Sequence, residues 1–307
     1  MKLTNIFVLL LLGSILFIYG IGVGEYRWFP YNQILTVKKY FDQSTQNQAI
    51  ESIEVGVNPF SINELIDIRK DLYSAIIPIK PFRVIERNLD NKIKEISVKY
   101  YGVNARALFA EASPSNQCLM IYIQGHGGNP FEFYYHNDLQ KSFILNGCDV
   151  LSMSMIGLGL NEGAASIPTR FGTMSMNAFE AKNHGNYAFF FDQENQTLDP
   201  LSLFLYPHFK LINSVLEKNN YQDTTIMGIS GGGWYAVWLA ALIPELSNSI
   251  SYSGSLPLPY RKYQDNHGDW EQVYSHLYNK VTYFNLYQLM MLDKNGKLSR
   301  NAALVYN

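Results

Sequence analysis

The chain has 307 residues, enough for one large α/β domain with appendages. With 47% apolar and 16% charged residues it reads as globular and not as extended disorder. A net charge of −2, from 24 basic and 26 acidic residues, gives no sign of a nucleic-acid partner, which needs a basic surface.

No charge occurs between Lys2 and Glu25, and Ile6 to Tyr19 is almost wholly apolar. A helix of about 20 residues crosses a bilayer core of roughly 30 Å. Residues 1–24 are therefore expected to be a transmembrane signal anchor, with Trp28, Phe29 and Tyr31 as interfacial aromatics. A cleaved signal peptide is the rival reading, for which Gly20-Ile-Gly22 is a poor cleavage site. No cysteine follows the apolar run, which excludes a lipid anchor on cysteine. The flanking charges do not settle the orientation of an anchor; an exported domain, periplasmic or extracellular/lumenal, is the preferred reading because the segment resembles a signal sequence, and a secreted one if it is cleaved.

Residues 25–92 carry no catalytic pattern and read as an arm packed on the main domain. Ser61-Ile-Asn-Glu64 is a capping box. Ile62, Leu65, Ile66, Leu72 and Tyr73 follow at helical spacing, so a helix is expected near 61–75, closed before Pro78 and Pro81. From residue 93 the period changes. Runs 94–101 and 105–112 predict an antiparallel hairpin around Gly102-Val-Asn104. Strands then alternate with helices: strand 118–123, a helical stretch, strand 150–155, helix 201–216, strand 224–229, helix 232–242, strand 249–253. Such alternation predicts a mostly parallel sheet covered on both faces, a three-layer sandwich over 93–307. Segment 164–199, with Pro168, Gly172 and many aromatics, is irregular and reads equally as a lid over a cleft or as an inert insertion. Cys118 and Cys148 each begin a strand. As parallel neighbours they could bridge in an oxidising compartment, although buried free thiols are the preferred reading. No cysteine/histidine spacing suggests a metal, and no cofactor is implied.

Gly228-Ile-Ser230-Gly-Gly232 is a G-x-S-x-G motif between a strand-like run and the helical run Trp234–Ala241. A serine on so sharp a turn needs small neighbours, which Gly228 and Gly232 supply, and Ser230 is the candidate nucleophile. The second signal is Ile121-Tyr-Ile-Gln-Gly-His-Gly-Gly-Asn129, a buried strand running into glycines. Backbone N–H groups of Gly127, Gly128 and Gly231 are the candidate oxyanion hole. His126 is read as bracing the glycine loop, in preference to a direct role in proton transfer.

The order of strand, His-Gly-Gly loop, strand and Gly-Ile-Ser-Gly-Gly resembles the α/β-hydrolase superfamily. Gly157-Leu-Gly-Leu-Asn-Glu-Gly163 resembles the G-x-G-x-S-x-G turn of its esterase branches, with Asn161 in place of serine. Tyr122–Gly128, Ser230–Trp234 and Ser253–Arg261 are similar to uncharacterised bacterial members near the acetyl-xylan-esterase and dipeptidyl-peptidase types. The resemblance implies cleavage of a small-molecule or peptide ester or amide through an acyl-serine intermediate. It also implies a triad in the order serine, acid, histidine. Counting 249–253 as the sixth strand and 301–306 as the seventh places that acid and histidine past residue 307. His267 and Asp269 are the substitutes within the chain, with His276 a further histidine after the serine. A chain without that acid and histidine is expected to hydrolyse activated esters poorly or not at all; the alternatives are a non-catalytic binding or scaffold protein of this fold, or a truncated product of an active enzyme.

Overall fold

Eight strands form the main sheet of this computed structural model, in the spatial order β1 (Val84–Asn88), β2 (Ile93–Tyr100), β3 (Val103–Ala110), β5 (Cys148–Ser154), β4 (Cys118–Gln124), β8 (Asp223–Ile229), β9 (Asn248–Tyr252) and β10 (Asn301–Val305). β6 (Ser166–Thr169) and β7 (Gly172–Ser175) make a separate antiparallel hairpin. The structure describes residues 60–78, 82–131, 134–162, 166–169, 172–175, 201–261, 269–273 and 276–306. The expected membrane segment 1–24, most of segment 164–199 and His267 lie outside them. Among the described residues no helix is long and apolar enough to cross a membrane.

β1, β2, β3 and β5 pair antiparallel, and β5, β4, β8, β9 and β10 pair parallel. β4 reads Cys-Leu-Met-Ile-Tyr-Ile-Gln, and all but its first residue are buried. A strand covered by helices on both faces carries such a continuous apolar run. The helices are α1 (Ile62–Ile76), α2 (Tyr134–Leu145), α3 (Ser202–Leu216), α4 (Gly231–Leu242), α5 (Leu258–Arg261), α6 (Trp270–Val273) and α7 (Tyr283–Met291). From β4 to β5 the chain steps one way across the sheet; from β5 to β8 and from β8 to β9 it steps the other way. Right-handed crossovers place α2 on one face and α3 and α4 on the other. The reversal opens a crevice at the carboxyl ends of β4 and β8, where open α/β sheets hold their ligands.

All twelve residues of α4 are buried, as befits a helix that is apolar all round. The indole N–H groups of Trp234 and Trp238 donate to the Tyr278 hydroxyl at 3.0 and 3.3 Å, so the polar edges of both rings are satisfied in the core. The foot of α4 is closed by two arginines. Arg69, from α1, donates to the carbonyls of Ala241, Leu289, Leu292 and Asp293 at 2.6–3.2 Å. Arg300 donates to those of Leu246, Ala240, Leu289 and Leu292. Carbonyls at a helix end lack intrahelical partners and carry partial negative charge, which cations satisfy. Burial and the neighbouring Arg69 lower the Arg300 pKa to about 10.

Three sequence expectations are corrected. The capping box of Ser61 and Glu64 opens α1 as expected, but the arm also contributes β1, the first strand of the main sheet. The hairpin turns tightly at Tyr101 and Gly102, with φ of 44° and 84°, and not at 102–104. Two central residues at positive φ match the twist of the flanking strands. The cysteines are not free thiols: Cys118 and Cys148 face each other in the parallel register of β4 and β5 and form a disulfide.

Candidate active site

Ser230 lies between β8 and α4 at φ 53° and ψ −127°. A residue with a side chain held there costs about 1–3 kcal/mol and persists only when its surroundings over-determine it. They do. The Ser230 N–H donates to the Tyr252 carbonyl at 2.8 Å, and the Ser230 carbonyl accepts from the Gly233 N–H at 2.8 Å. A Cβ on Gly228 would meet the Gly232 carbonyl oxygen at 1.9 Å, and one on Gly232 the Ile123 carbonyl oxygen at 2.1 Å. The two glycines therefore let the turn close against β4. Ser230 is exposed, and its side chain makes no hydrogen bond to the helix it precedes. The hydroxyl stands open at the crevice.

Gly231, the first residue of α4, has an N–H with no intrahelical acceptor, and no described residue accepts from it. The positive end of the α4 dipole lies at the same place. The turn after β4 packs directly on Ser230: a Cβ on Gly125 would sit 2.8 Å from the Ser230 Cβ. Within that turn the Gly128 N–H donates to the Gly125 carbonyl at 3.2 Å. The Gly128 N–H, read from the sequence as an oxyanion donor, is thus engaged in closing the turn. Gly127, at the exposed tip, has an N–H with no acceptor among the described residues.

The loop after β5 holds this turn from the side. The Ser154 hydroxyl donates to the Gly128 carbonyl at 2.8 Å and accepts from the Leu160 N–H at 3.1 Å. Asn161, which stands where the esterase turn has serine, is buried. Its Nδ2 donates to the carbonyls of Ser154 and Met155, at 2.7 and 3.2 Å. Its Oδ1 accepts from the Arg106 N–H at 2.7 Å. The amide binds the end of β5 to β3, a task a serine hydroxyl is too short to perform at three partners.

Asp269 enters the site through His126. Its Oδ2 lies 3.1 Å from His126 Nε2, which is closed off from solvent, but the approach is not aligned for a hydrogen bond. Gln272 Nε2 donates to the same oxygen at 3.2 Å, while Gln272 Oε1 accepts from buried Arg261 at 2.8 Å. No spacing in the sequence signals this pairing, since His126 follows β4 and Asp269 precedes α6. Another imidazole, His208 in α3, is fully buried with Nε2 2.8 Å from the Ser154 carbonyl oxygen, and desolvation pushes its pKa down to about 4. The side chain of His276 is outside the described residues. A cleft of about 590 Å³ between α1 and the 293–296 loop, lined by Arg69, Leu242 and Pro244, opens at the opposite end of α4 from Ser230. A twelve-residue helix is about 18 Å long, so that cleft is remote from Ser230. Among the described residues no group of three His, Cys, Asp or Glu side chains is placed to hold a metal.

The strand order, the serine turn between β8 and α4 and the glycine turn after β4 make this an α/β-hydrolase fold. One solved structure agrees on that fold, and two more are similar to this chain. A Bacteroides fragilis protein described as an acetyl xylan esterase is 12% identical with a TM-score of 0.54, the match covering 85% of this chain and 73% of that one. Acetyl xylan esterase 1 from Thermoanaerobacterium is 14% identical over 84% of this chain and 81% of that one, with a TM-score of 0.48. A glucuronoyl esterase from Solibacter usitatus is 10% identical over 78% and 72%, with a TM-score of 0.47. No family model and no curated protein matches the sequence.

Proposed function

We propose that this protein is a serine hydrolase that cleaves an ester or amide bond through an acyl-serine intermediate on Ser230. The observation that carries the reading is the strained, exposed Ser230 beside the acceptor-less N–H of Gly231. A turn that holds a hydroxyl in this conformation, with a dipole-backed donor next to it, has the parts that acyl transfer needs. The N–H groups of Gly231 and Gly127 take the oxyanion, and each such donor is worth about 3 kcal/mol in characterised hydrolases. An ester is placed ahead of an amide, in keeping with the description of the Bacteroides fragilis relative. The exported, membrane-anchored location suggested by residues 1–24 belongs to the same proposal, and the Cys118–Cys148 bridge supports an oxidising compartment.

The test is a fluorophosphonate probe with peptide mapping, run beside p-nitrophenyl acetate hydrolysis. Labelling of Ser230, lost together with turnover in Ser230→Ala, supports the proposal. An unlabelled Ser230 in folded protein overturns it and leaves a binding protein of hydrolase fold.

A further inference from the structure

Two serines stand side by side at the carboxyl end of the sheet, and Ser230 is one of them. β8 and β9 run parallel, and Ile229 pairs with Tyr252 at the end of their ladder. The next residue on each strand is a serine, Ser230 after β8 and Ser253 after β9. Neighbouring strands lie about 4.8 Å apart, so the two backbones leave the sheet at about that spacing. They stay in contact beyond it. The Ser230 N–H donates to the Tyr252 carbonyl, and a Cβ on Gly254 would lie 2.1 Å from the Ser230 carbonyl oxygen. Both serines take φ 53°, and both are exposed. That conformation strains a residue with a Cβ and leaves glycine free of strain. If folding β9 against the Ser230 turn were the only demand at position 253, glycine would meet it at no such cost. The backbone there is fixed. The Ser253 N–H donates to the Val305 carbonyl at 2.7 Å, the Ser251 and Ser255 hydroxyls meet at 3.0 Å, and the Tyr287 hydroxyl donates to the Ser255 carbonyl. Among the described residues none bonds the Ser253 hydroxyl.

We propose that Ser253 is a substrate-binding residue whose hydroxyl selects esters carrying a hydrogen-bonding oxygen close to the scissile carbonyl. The inference rests on Ser230 being the nucleophile. β4 and β9 flank β8 on opposite sides. The Gly127 N–H, after β4, holds the carbonyl oxygen on the β4 side. The other two substituents of the carbonyl carbon, the acyl chain and the alcohol, are then turned towards β9 and Ser253. A spacing of about 4.8 Å leaves room for the carbonyl carbon on Ser230 Oγ and, beyond it, a polar atom about 2.8 Å from Ser253 Oγ. A hydroxyl both donates and accepts, so a hydroxyl, ether or carbonyl oxygen of the substrate serves as partner. A methyl or methylene group in the same place makes no such bond, and the preference for the oxygenated ester is the difference. Ser253 binds in this scheme and takes no part in proton transfer.

Isosteric ester pairs read the preference. 2-Hydroxyethyl acetate against propyl acetate places the oxygen in the alcohol half, and ethyl glycolate against ethyl propanoate places it in the acyl half. Each ester is measured on the full chain by kcat/KM and by the concentration that halves the rate of fluorophosphonate labelling at Ser230. Protection from labelling does not depend on turnover, so it reads the preference even where hydrolysis is slow. Wild type is expected to favour the hydroxylated member of one pair by about 2–10-fold, the size of one neutral hydrogen bond. The pair that responds identifies the half that carries the oxygen. Ser253→Ala removes the preference, and so does Ser253→Gly, which lacks the hydroxyl but relieves the strain. Melting curves establish that the variants are folded, and the glycine variant serves alone if the alanine variant is not. Two results overturn this inference and leave the nucleophile standing. One is a labelled wild type with no preference in either pair. The other is a preference that survives in a folded Ser253 variant. Absence of labelling in the wild type removes the nucleophile and this inference with it.

Discussion

Ser230 can be replaced in two ways that are expected to abolish the proposed chemistry alike and to differ in stability. Its φ of 53° and ψ of −127° place it where a side chain costs about 1–3 kcal/mol. Glycine at the same position escapes that cost but is more disordered when unfolded, by about 0.5–1 kcal/mol relative to alanine. Ser230→Gly is thus expected to be more stable than Ser230→Ala by about 0.5–2 kcal/mol. The hydroxyl makes no cap hydrogen bond to α4, so its removal adds little to either side of the comparison. At about 2–4 °C per kcal/mol for domains of this size, the two variants differ in Tm by about 1–8 °C. Calorimetry in one buffer, with denaturant midpoints as a second measure, reads the difference, and both variants are inactive towards p-nitrophenyl acetate. A Ser230→Ala variant that melts with or above Ser230→Gly refutes the view that the serine is held under strain.

Gly232→Ala forces a Cβ to within 2.1 Å of the Ile123 carbonyl oxygen, and urea titration is expected to show a loss of about 1–3 kcal/mol or more. Reducing Cys118–Cys148, which closes 30 residues of sequence, removes about 3.5 kcal/mol on the loop-entropy estimate, read as a lower melting temperature with dithiothreitol. His208 is neutral in the fold, with a pKa lowered from 6.5 to about 4, so the unfolded chain binds its proton first. Stability is therefore full above pH 6.5 and falls by about 3 kcal/mol as pH drops through 4, at 1.36 kcal/mol per unit. His208→Gln, whose amide can still donate to the Ser154 carbonyl, flattens that slope in pH-dependent unfolding.

Where periodicity and burial coincide, the sequence reads closely. β4, β5, β8 and β9 begin and end within two residues of their expected bounds, because parallel strands carry their apolar runs undisguised. α4 and its strained serine follow from Gly228, Gly232 and the aromatic run after them. β1 is hidden because four of its five residues are exposed, so no alternation marks it. The hairpin turn is misplaced because Tyr101 takes a positive φ that its residue type does not advertise. Choosing between thiols and a disulfide depended on Cys118 and Cys148 being in register, which the sheet supplies and the spacing does not. Gly128 is a glycine in the expected loop, yet its N–H is spent on its own turn. The His126–Asp269 pair depends on the loops after β4 and before α6 meeting, and no local pattern encodes that.

The carbonyl cluster at the foot of α4 has a consequence for how the molecule opens. Arg69 belongs to α1, but its acceptors belong to α4, to α7 and to Leu292 and Asp293 just beyond α7. Lifting α1 away would break four hydrogen bonds at once, with Arg300 left to serve the Leu289 and Leu292 carbonyls and that of Ala241 losing its arginine. α1 is therefore not free to fray as a surface helix does. Its amides are expected to exchange with solvent only when α4 also comes apart, so that in hydrogen exchange arm and core behave as one cooperative unit.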